Sequence, residues 1–263
     1  MSANREFRRA MRRRSFFGAA VPFLLMATWC SPASAYRPFE GTDAAVADKG
    51  ELEVELQPAG FLKQGPDKTL VAPAWVVNIG IATGWEAVFQ GQGQFPLGSS
   101  DARASFAGAG AFLKGVLREG SLQDKTGPSI ATEFGALLPG INADSGMGAS
   151  LAGIVSQRWE WMAVHFNVAT ALTRDQHADL FLGTIIEGPS KWTVRPVAEF
   201  FYENEFGAAH TVSGLVGAIW QVNDKLSFDI GLRHALTNGR HVDEILAGLT
   251  FGLPLQSFAG AHR

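Results

Sequence analysis

Polar and charged side chains recur at every second position of several apolar stretches in this chain. Nine of them could act together on a solute if these stretches form one sheet: Glu86, Gln90, Glu133, His165, Asn167, Arg195, Glu199, Asp229 and Arg233. A ring of carboxylates, amides and guanidinium groups can orient or filter a small molecule that passes between them. The same groups could instead pair as salt bridges that fill the interior of the sheet. Both interpretations remain open from the residue types alone.

Spacing restricts how these charges can pair. Arg195 and Glu199 share a face, and so do Asp229 and Arg233, but each pair is separated by four residues. Four residues span about 13 Å along a strand, which is too far for an ion pair. We therefore expect their partners on neighbouring strands.

Hydrolysis is the other chemistry to consider, because a serine, a histidine and an amide or acid can act together as a hydrolytic site. His165 and Asn167 share one face, while Ser150, Ser156 and Ser213 lie in other segments. The sequence has no nucleophile-elbow motif and no pair of metal-binding residues at characteristic spacing. We therefore predict that the protein is not an enzyme, and we assign no catalytic residue, metal site or cofactor.

The elements that position these residues have the two-residue periodicity of β-strands. In residues 192–203, one face consists of Trp192, Val194, Pro196, Ala198, Phe200 and Tyr202. The opposite face consists of Thr193, Arg195, Val197, Glu199, Phe201 and Glu203. An apolar face with aromatic residues at both ends is typical of a strand that faces lipid.

The pattern predicts about twelve strands, at 50–58, 70–81, 84–94, 104–117, 128–137, 147–157, 160–172, 176–187, 191–203, 208–220, 225–233 and 242–253. Longer connections are expected at 59–69, 95–103, 138–146 and 234–241. In lipid, every backbone group needs an internal partner, and closing the sheet removes its edges. The predicted fold is therefore all-β, an antiparallel up-and-down transmembrane β-barrel.

The start of the chain has the features of an export signal. A basic region with six arginines precedes the apolar run 16–29, and Ala33-Ser34-Ala35 forms a small-residue cleavage site. We divide the chain into a signal peptide (1–35), an N-terminal periplasmic segment (36–49), a β-barrel (50–253) and a C-terminal tail (254–263). Arg13-Arg14 also resembles a twin-arginine signal, which would favour a soluble periplasmic domain.

The net charge and the cysteine content limit which partners and which chemistry the protein can have. Residues 36–263 contain 16 Lys and Arg against 24 Asp and Glu, a net charge of −8, so nucleic acid is a poor partner. The single cysteine, Cys30, lies in the predicted signal, which leaves the rest of the chain without a thiol.

Several short motifs resemble the putative meta-pathway phenol-degradation outer-membrane proteins. They are residues 36–43 (YRPFEGTD), 47–55 (ADKGELEVE), 195–199 (RPVAE), 226–233 (LSFDIGLR) and 247–251 (AGLTF). The resemblance implies a transporter-like outer-membrane barrel for hydrophobic or aromatic compounds. The chain differs from most barrels in that Phe251 is followed by a tail rather than being terminal.

We therefore expect a channel or transporter for small solutes in the bacterial outer membrane. Its expected partners are outer-membrane lipid, the barrel-assembly machinery and the solute itself, and Phe112, Trp161 and Phe201 are expected to line the solute path. The alternatives are a soluble periplasmic β-domain that binds a ligand, and a barrel with a lipid-hydrolysing or structural role.

Overall fold

A computed structural model describes residues 37–98 and 103–255, which form a closed barrel of twelve antiparallel strands. The strands are β1 (Glu51–Gln64), β2 (Asp67–Ala82), β3 (Trp85–Leu97), β4 (Ser105–Arg118), β5 (Ser129–Leu137), β6 (Gly148–Arg158), β7 (Ala163–Leu172), β8 (Ala178–Glu187), β9 (Val194–Glu205), β10 (Ala209–Asn223), β11 (Leu226–Thr237) and β12 (Arg240–Pro254). The predicted fold class and strand count are confirmed. The predicted signal peptide and residues 256–263 of the tail lie outside the described residues.

Closure is achieved by the first and last strands. Each strand pairs with its neighbours in the chain, and β1 pairs antiparallel with β12, from Glu51 opposite Pro254 to Gln64 opposite Val242. The described sheet thus has no free edge, which is what a sheet surrounded by lipid requires. We call the end of the barrel at which β1 begins the N-terminal rim.

The two faces of the wall differ in the way the alternation predicted. In β9, Val197, Glu199 and Phe201 are buried, whereas Val194 and Phe200 are more than half exposed. Large apolar side chains that are at least half exposed recur on the outer wall at Leu151, Val194, Phe200, Val216, Ile230, Leu232 and Ile245. Such a continuous apolar surface is typical of a wall that contacts lipid. Among the described residues, no helix is long and apolar enough to cross a membrane.

Two connections that were expected to be long are tight turns. Residues 59–69 were expected to connect β1 and β2, but β1 runs to Gln64 and β2 starts at Asp67. A bulge between Leu56 and Ala59 keeps Pro58 within β1. Strands β11 and β12 meet at Asn238-Gly239, both with positive φ. Asn-Gly is the preferred pair for such a hairpin turn, so this signal was present in the sequence.

We expect Gly239→Val to weaken the β11–β12 hairpin. Gly239 has a φ of +75°, and a side chain there costs about 1–2 kcal/mol. Thermal unfolding in detergent should show a lower midpoint. The control is Gly214→Ala, since a Cβ at Gly214 meets nothing within 4 Å. Equal midpoints for the two variants would contradict the assigned turn.

Candidate functional site: the barrel lumen

The structure places all nine predicted site residues on the inner wall of the barrel. Glu86, His165, Asn167, Glu199 and Asp229 are buried there, and Gln90, Glu133, Arg195 and Arg233 are half-buried. Their role in solute passage stays a prediction. Phe112 and Phe201 also face inward and are buried. Trp161 was expected to line the path, and this is wrong: it lies in the turn between β6 and β7 and is 67% exposed.

The lumen also contains residues 37–49 of the chain itself, which we call the luminal segment. The sequence analysis assigned this stretch to the periplasm and did not place it inside the barrel. From Ala47 back to Arg37, it contacts β3, then β6, β7 and β9, and finally β11 and β1. The segment thus follows the inner wall around most of its circumference.

Near the N-terminal rim, the luminal segment meets a buried lysine. The Lys114 ammonium lies 3.6 Å from a Glu86 carboxylate oxygen and 3.8 Å from Asp43, and it donates a hydrogen bond to the Thr42 hydroxyl at 3.1 Å. Glu86 also accepts a hydrogen bond from the amide of Ala47 at 2.6 Å. Lys114 and Glu86, a cation and a carboxylate of the inner wall, therefore hold this part of the luminal segment against the wall.

A series of polar contacts runs across neighbouring strands to Ala44, and its last two links are hydrogen bonds. Glu187 Oε2 lies 3.3 Å from Arg195, and Glu187 Oε1 lies 3.2 Å from His165 Nε2. His165 Nδ1 is 2.8 Å from Ser156 Oγ, which accepts the Ala44 amide at 2.9 Å. These contacts bring together the residue types of a hydrolytic triad. However, Ser156 is fully buried beneath the luminal segment. In this arrangement, its hydroxyl holds the backbone amide of Ala44 in place.

The next two anchors bind main-chain groups directly. Asn167 accepts the Thr42 amide at 3.0 Å and donates to the Thr42 carbonyl at 2.9 Å. The Glu199 carboxylate accepts the Glu40 amide at 3.0 Å and the Gly41 amide at 2.7 Å. Hydrogen bonds to an ionised acceptor are among the stronger ones in proteins. Both residues were predicted as site residues, but what they bind here is the chain itself.

The first residues of the luminal segment lie among charges on β1, β9, β11 and β12. Arg37 Nε is 3.7 Å from Asp229, and Arg37 also donates to Gln57. Arg233 pairs with Glu40, with Glu244 at 3.0 Å and with Glu199 at 3.8 Å. As expected, Arg195 and Arg233 have partners on neighbouring strands, Glu187 and Glu244. For Asp229 the expectation is wrong, because its partner Arg37 belongs to the luminal segment.

Sequence reasoning missed several inner-wall residues. Lys114 was overlooked because glycine and alanine obscured which face of β4 points inward. Glu53 and Glu55 alternate with the apolar residues of β1 but were not among the predicted site residues. Both are buried, and Glu55 accepts a hydrogen bond from Asn78 at 3.0 Å. The signal for Lys114 was that it is the one charged residue in the predicted strand 104–117.

Solved outer-membrane barrels share this fold. A channel from Pseudomonas putida F1 aligns with a TM-score of 0.56 and 10% identity over 80% of this chain and 97% of that chain. The NanC porin aligns with a TM-score of 0.52 and 8% identity over 77% and 100% of the two chains. A KdgM porin in complex with disordered oligogalacturonate aligns with a TM-score of 0.50 and 8% identity over 76% and 98%.

These identities establish likeness of fold alone. No protein-family model matches the chain, and no curated protein matches it. The class that the fold defines is the twelve-stranded, porin-like β-barrel. The resemblance to the phenol-degradation proteins is not confirmed by these comparisons and stays a prediction.

Proposed function

We propose that the protein is a channel that carries small solutes across the bacterial outer membrane. The strongest support is the difference between the outer and inner faces of the closed barrel wall. The outer wall is apolar, and the inner wall is lined with carboxylates, amides and guanidinium groups. A polar interior within an apolar wall is the arrangement by which outer-membrane barrels conduct solutes.

The outer membrane is the location that fits this surface. A soluble periplasmic β-domain would expose to water the row of apolar residues that includes Val194, Phe200, Val216 and Ile230, each more than half exposed. Exposed apolar patches of that extent are rare on monomeric soluble proteins. The export signal predicted in residues 1–35 agrees with this location.

For the solute, we propose small molecules that include hydrophobic and aromatic compounds. The resemblance to the phenol-degradation proteins suggests this class. Aromatic residues on the inner wall agree with it: the rings of Phe181 and Phe201 lie 5.2 Å apart, and the Arg233 guanidinium carbon lies 5.8 Å from the centre of the Phe201 ring. Such a surface offers stacking contacts beside a fixed positive charge.

Conductance in planar lipid bilayers tests the channel function. We expect discrete current steps from the purified full-length protein in potassium chloride, and a reduction of these currents by a hydroxylated or carboxylated monoaromatic compound. Heat-denatured protein is the control. Protein that inserts but gives no current, and that also fails to carry any solute into vesicles, would contradict the proposed function.

A further inference from the structure

We propose that the outer wall has a binding site for a lipid with a phosphate headgroup, at the end of the barrel opposite the N-terminal rim. Two lysines on neighbouring strands hold the phosphate, and an apolar groove beside them holds an acyl chain. This inference goes beyond solute passage. It rests on the proposed membrane location and does not depend on whether the barrel conducts.

The strand register aligns four polar side chains across the outer wall, which we call the charged row. Lys68 of β2 lies opposite Lys63 of β1. On the other side of β1, Lys63 lies opposite Asp243 of β12, which lies opposite His234 of β11. All four residues are exposed.

The charged row marks the depth at which the apolar outer wall ends. Two positions nearer the N-terminal rim, the same four strands present apolar residues in register: Leu70, Phe61, Ile245 and Leu232. A change from apolar to charged side chains at one level of a barrel wall is typical of the boundary between hydrocarbon and headgroups. The charged row therefore lies where a lipid headgroup can reach it.

The unbalanced charge of this row is positive and lies on the two lysines. Asp243 is paired with His234, since its Oδ1 lies 2.7 Å from His234 Nδ1. Among the described residues, no carboxylate lies within salt-bridge distance of the Lys63 or Lys68 ammonium. Like charges directly opposite each other destabilise a pair of strands, and an anion between them removes the repulsion. Phosphate suits this position, because lysine binds phosphate as a point charge.

An apolar groove in the outer wall begins beside the charged row. Its volume is about 630 Å³, and Lys63 and His234 lie at its edge. A Cβ built at Gly214, which lies opposite His234, would meet nothing within 4 Å. The apolar residues that line the groove are Phe61, Ala198, Val216, Leu232 and Ile245. An acyl chain fits such a groove through many weak dispersion contacts, so the phosphate and chain positions are adjacent, as they are in a lipid.

Native mass spectrometry of the full-length protein in nonionic detergent tests the phosphate contact, with lipid A, a phosphorylated glycolipid, as the probe. The protein should retain lipid A and release phosphatidylcholine, whose headgroup has no net charge. Lys63→Gln/Lys68→Gln should weaken lipid A binding about tenfold, because each lysine near an anionic lipid contributes to the attraction.

The matched control is Lys125→Gln/Lys191→Gln. These two lysines are exposed in the connections β4–β5 and β8–β9, at the N-terminal rim. Their removal changes the net charge equally and should leave lipid A binding unchanged. Equal lipid A binding by the two double variants would overturn the phosphate site.

Gly214→Trp tests the groove independently of charge. The indole fills the groove, so lipid A binding should fall while the charged row is intact. The control is Gly153→Trp, because Gly153 is exposed on β6 and a Cβ there also meets nothing within 4 Å. Equal binding by the two tryptophan variants would overturn the acyl-chain position. A mobility shift on boiling shows that each variant is folded.

Competition with inorganic phosphate at matched ionic strength distinguishes a lipid site from an ion site. Phosphate alone should not displace lipid A from the unchanged protein. Displacement by phosphate, or a dimer of the protein that forms in place of the lipid adduct, would overturn the lipid site. If the lysine variant does not fold, the tryptophan variants and this competition still decide. Conductance is measured separately, so a failure here leaves the channel function standing.

Discussion

Lys114→Met should destabilise the barrel strongly, by about 3–5 kcal/mol, the range observed when one partner of a buried ion pair is removed. Lys114 and Glu86 are both buried on the inner wall, and Asp43 adds a second carboxylate 3.8 Å from the ammonium. Methionine keeps the length of the side chain and removes its charge, so the carboxylates lose a buried cation. Denaturant unfolding in detergent micelles measures the change.

The matched control for this variant is Lys63→Met. Lys63 is exposed and lies on the same sheet, where removal of a surface charge should cost little. In addition, Lys114→Met/Glu86→Gln should recover part of the lost stability, because the double change removes both charges of the pair. If Lys114→Met unfolded at the same denaturant concentration as Lys63→Met, the claim that the buried Lys114–Glu86 pair stabilises the barrel would be contradicted.

Glu199→Ala should release the first half of the luminal segment. The Glu199 carboxylate accepts the amides of Glu40 and Gly41 and faces Arg233. Two hydrogen bonds to a charged acceptor contribute about 1.5–3 kcal/mol each, and every 1.4 kcal/mol changes a population about tenfold. A cysteine at Gly41, a position that is buried, should therefore react with a maleimide at least tenfold faster in the Glu199→Ala background.

Glu205→Ala is the control for this experiment. Glu205 lies on the same strand, β9, and pairs with His177 at 3.3 Å, near the end of the strand opposite the N-terminal rim. Removal of the Glu205 carboxylate should leave the labelling rate of the Gly41 cysteine unchanged. If Glu199→Ala and Glu205→Ala label at the same rate, Glu199 does not hold the segment in the way the structure indicates.

The sequence could predict the barrel because each strand carries its own evidence. Alternation in β9 separates Phe200 from Glu199 without reference to any other strand, and the same test repeated along the chain yields twelve strands. Predictions failed where local signals were ambiguous. The first strand was predicted to end at residue 58, but a bulge lets β1 continue to Gln64. Glycines and alanines of β4 concealed the inward orientation of Lys114.

The site was predicted only in part, for a related physical reason. Alternation assigns Glu86, Asn167 and Glu199 to the polar face without saying what they contact. Their partners belong to the luminal segment, which has no two-residue periodicity and whose position depends on the shape of the closed lumen. A stretch such as residues 37–49 therefore gave no local signal that it lies inside the barrel.

The central claim is that this chain is a closed barrel embedded in the outer membrane. Its most direct test is electrophoresis of fractionated cells, with and without boiling in detergent. The account predicts that the protein occurs in the outer-membrane fraction and that boiling shifts its mobility, because a closed barrel resists unfolding in cold detergent. A soluble periplasmic protein whose mobility does not change on boiling would contradict the account and favour a ligand-binding β-domain.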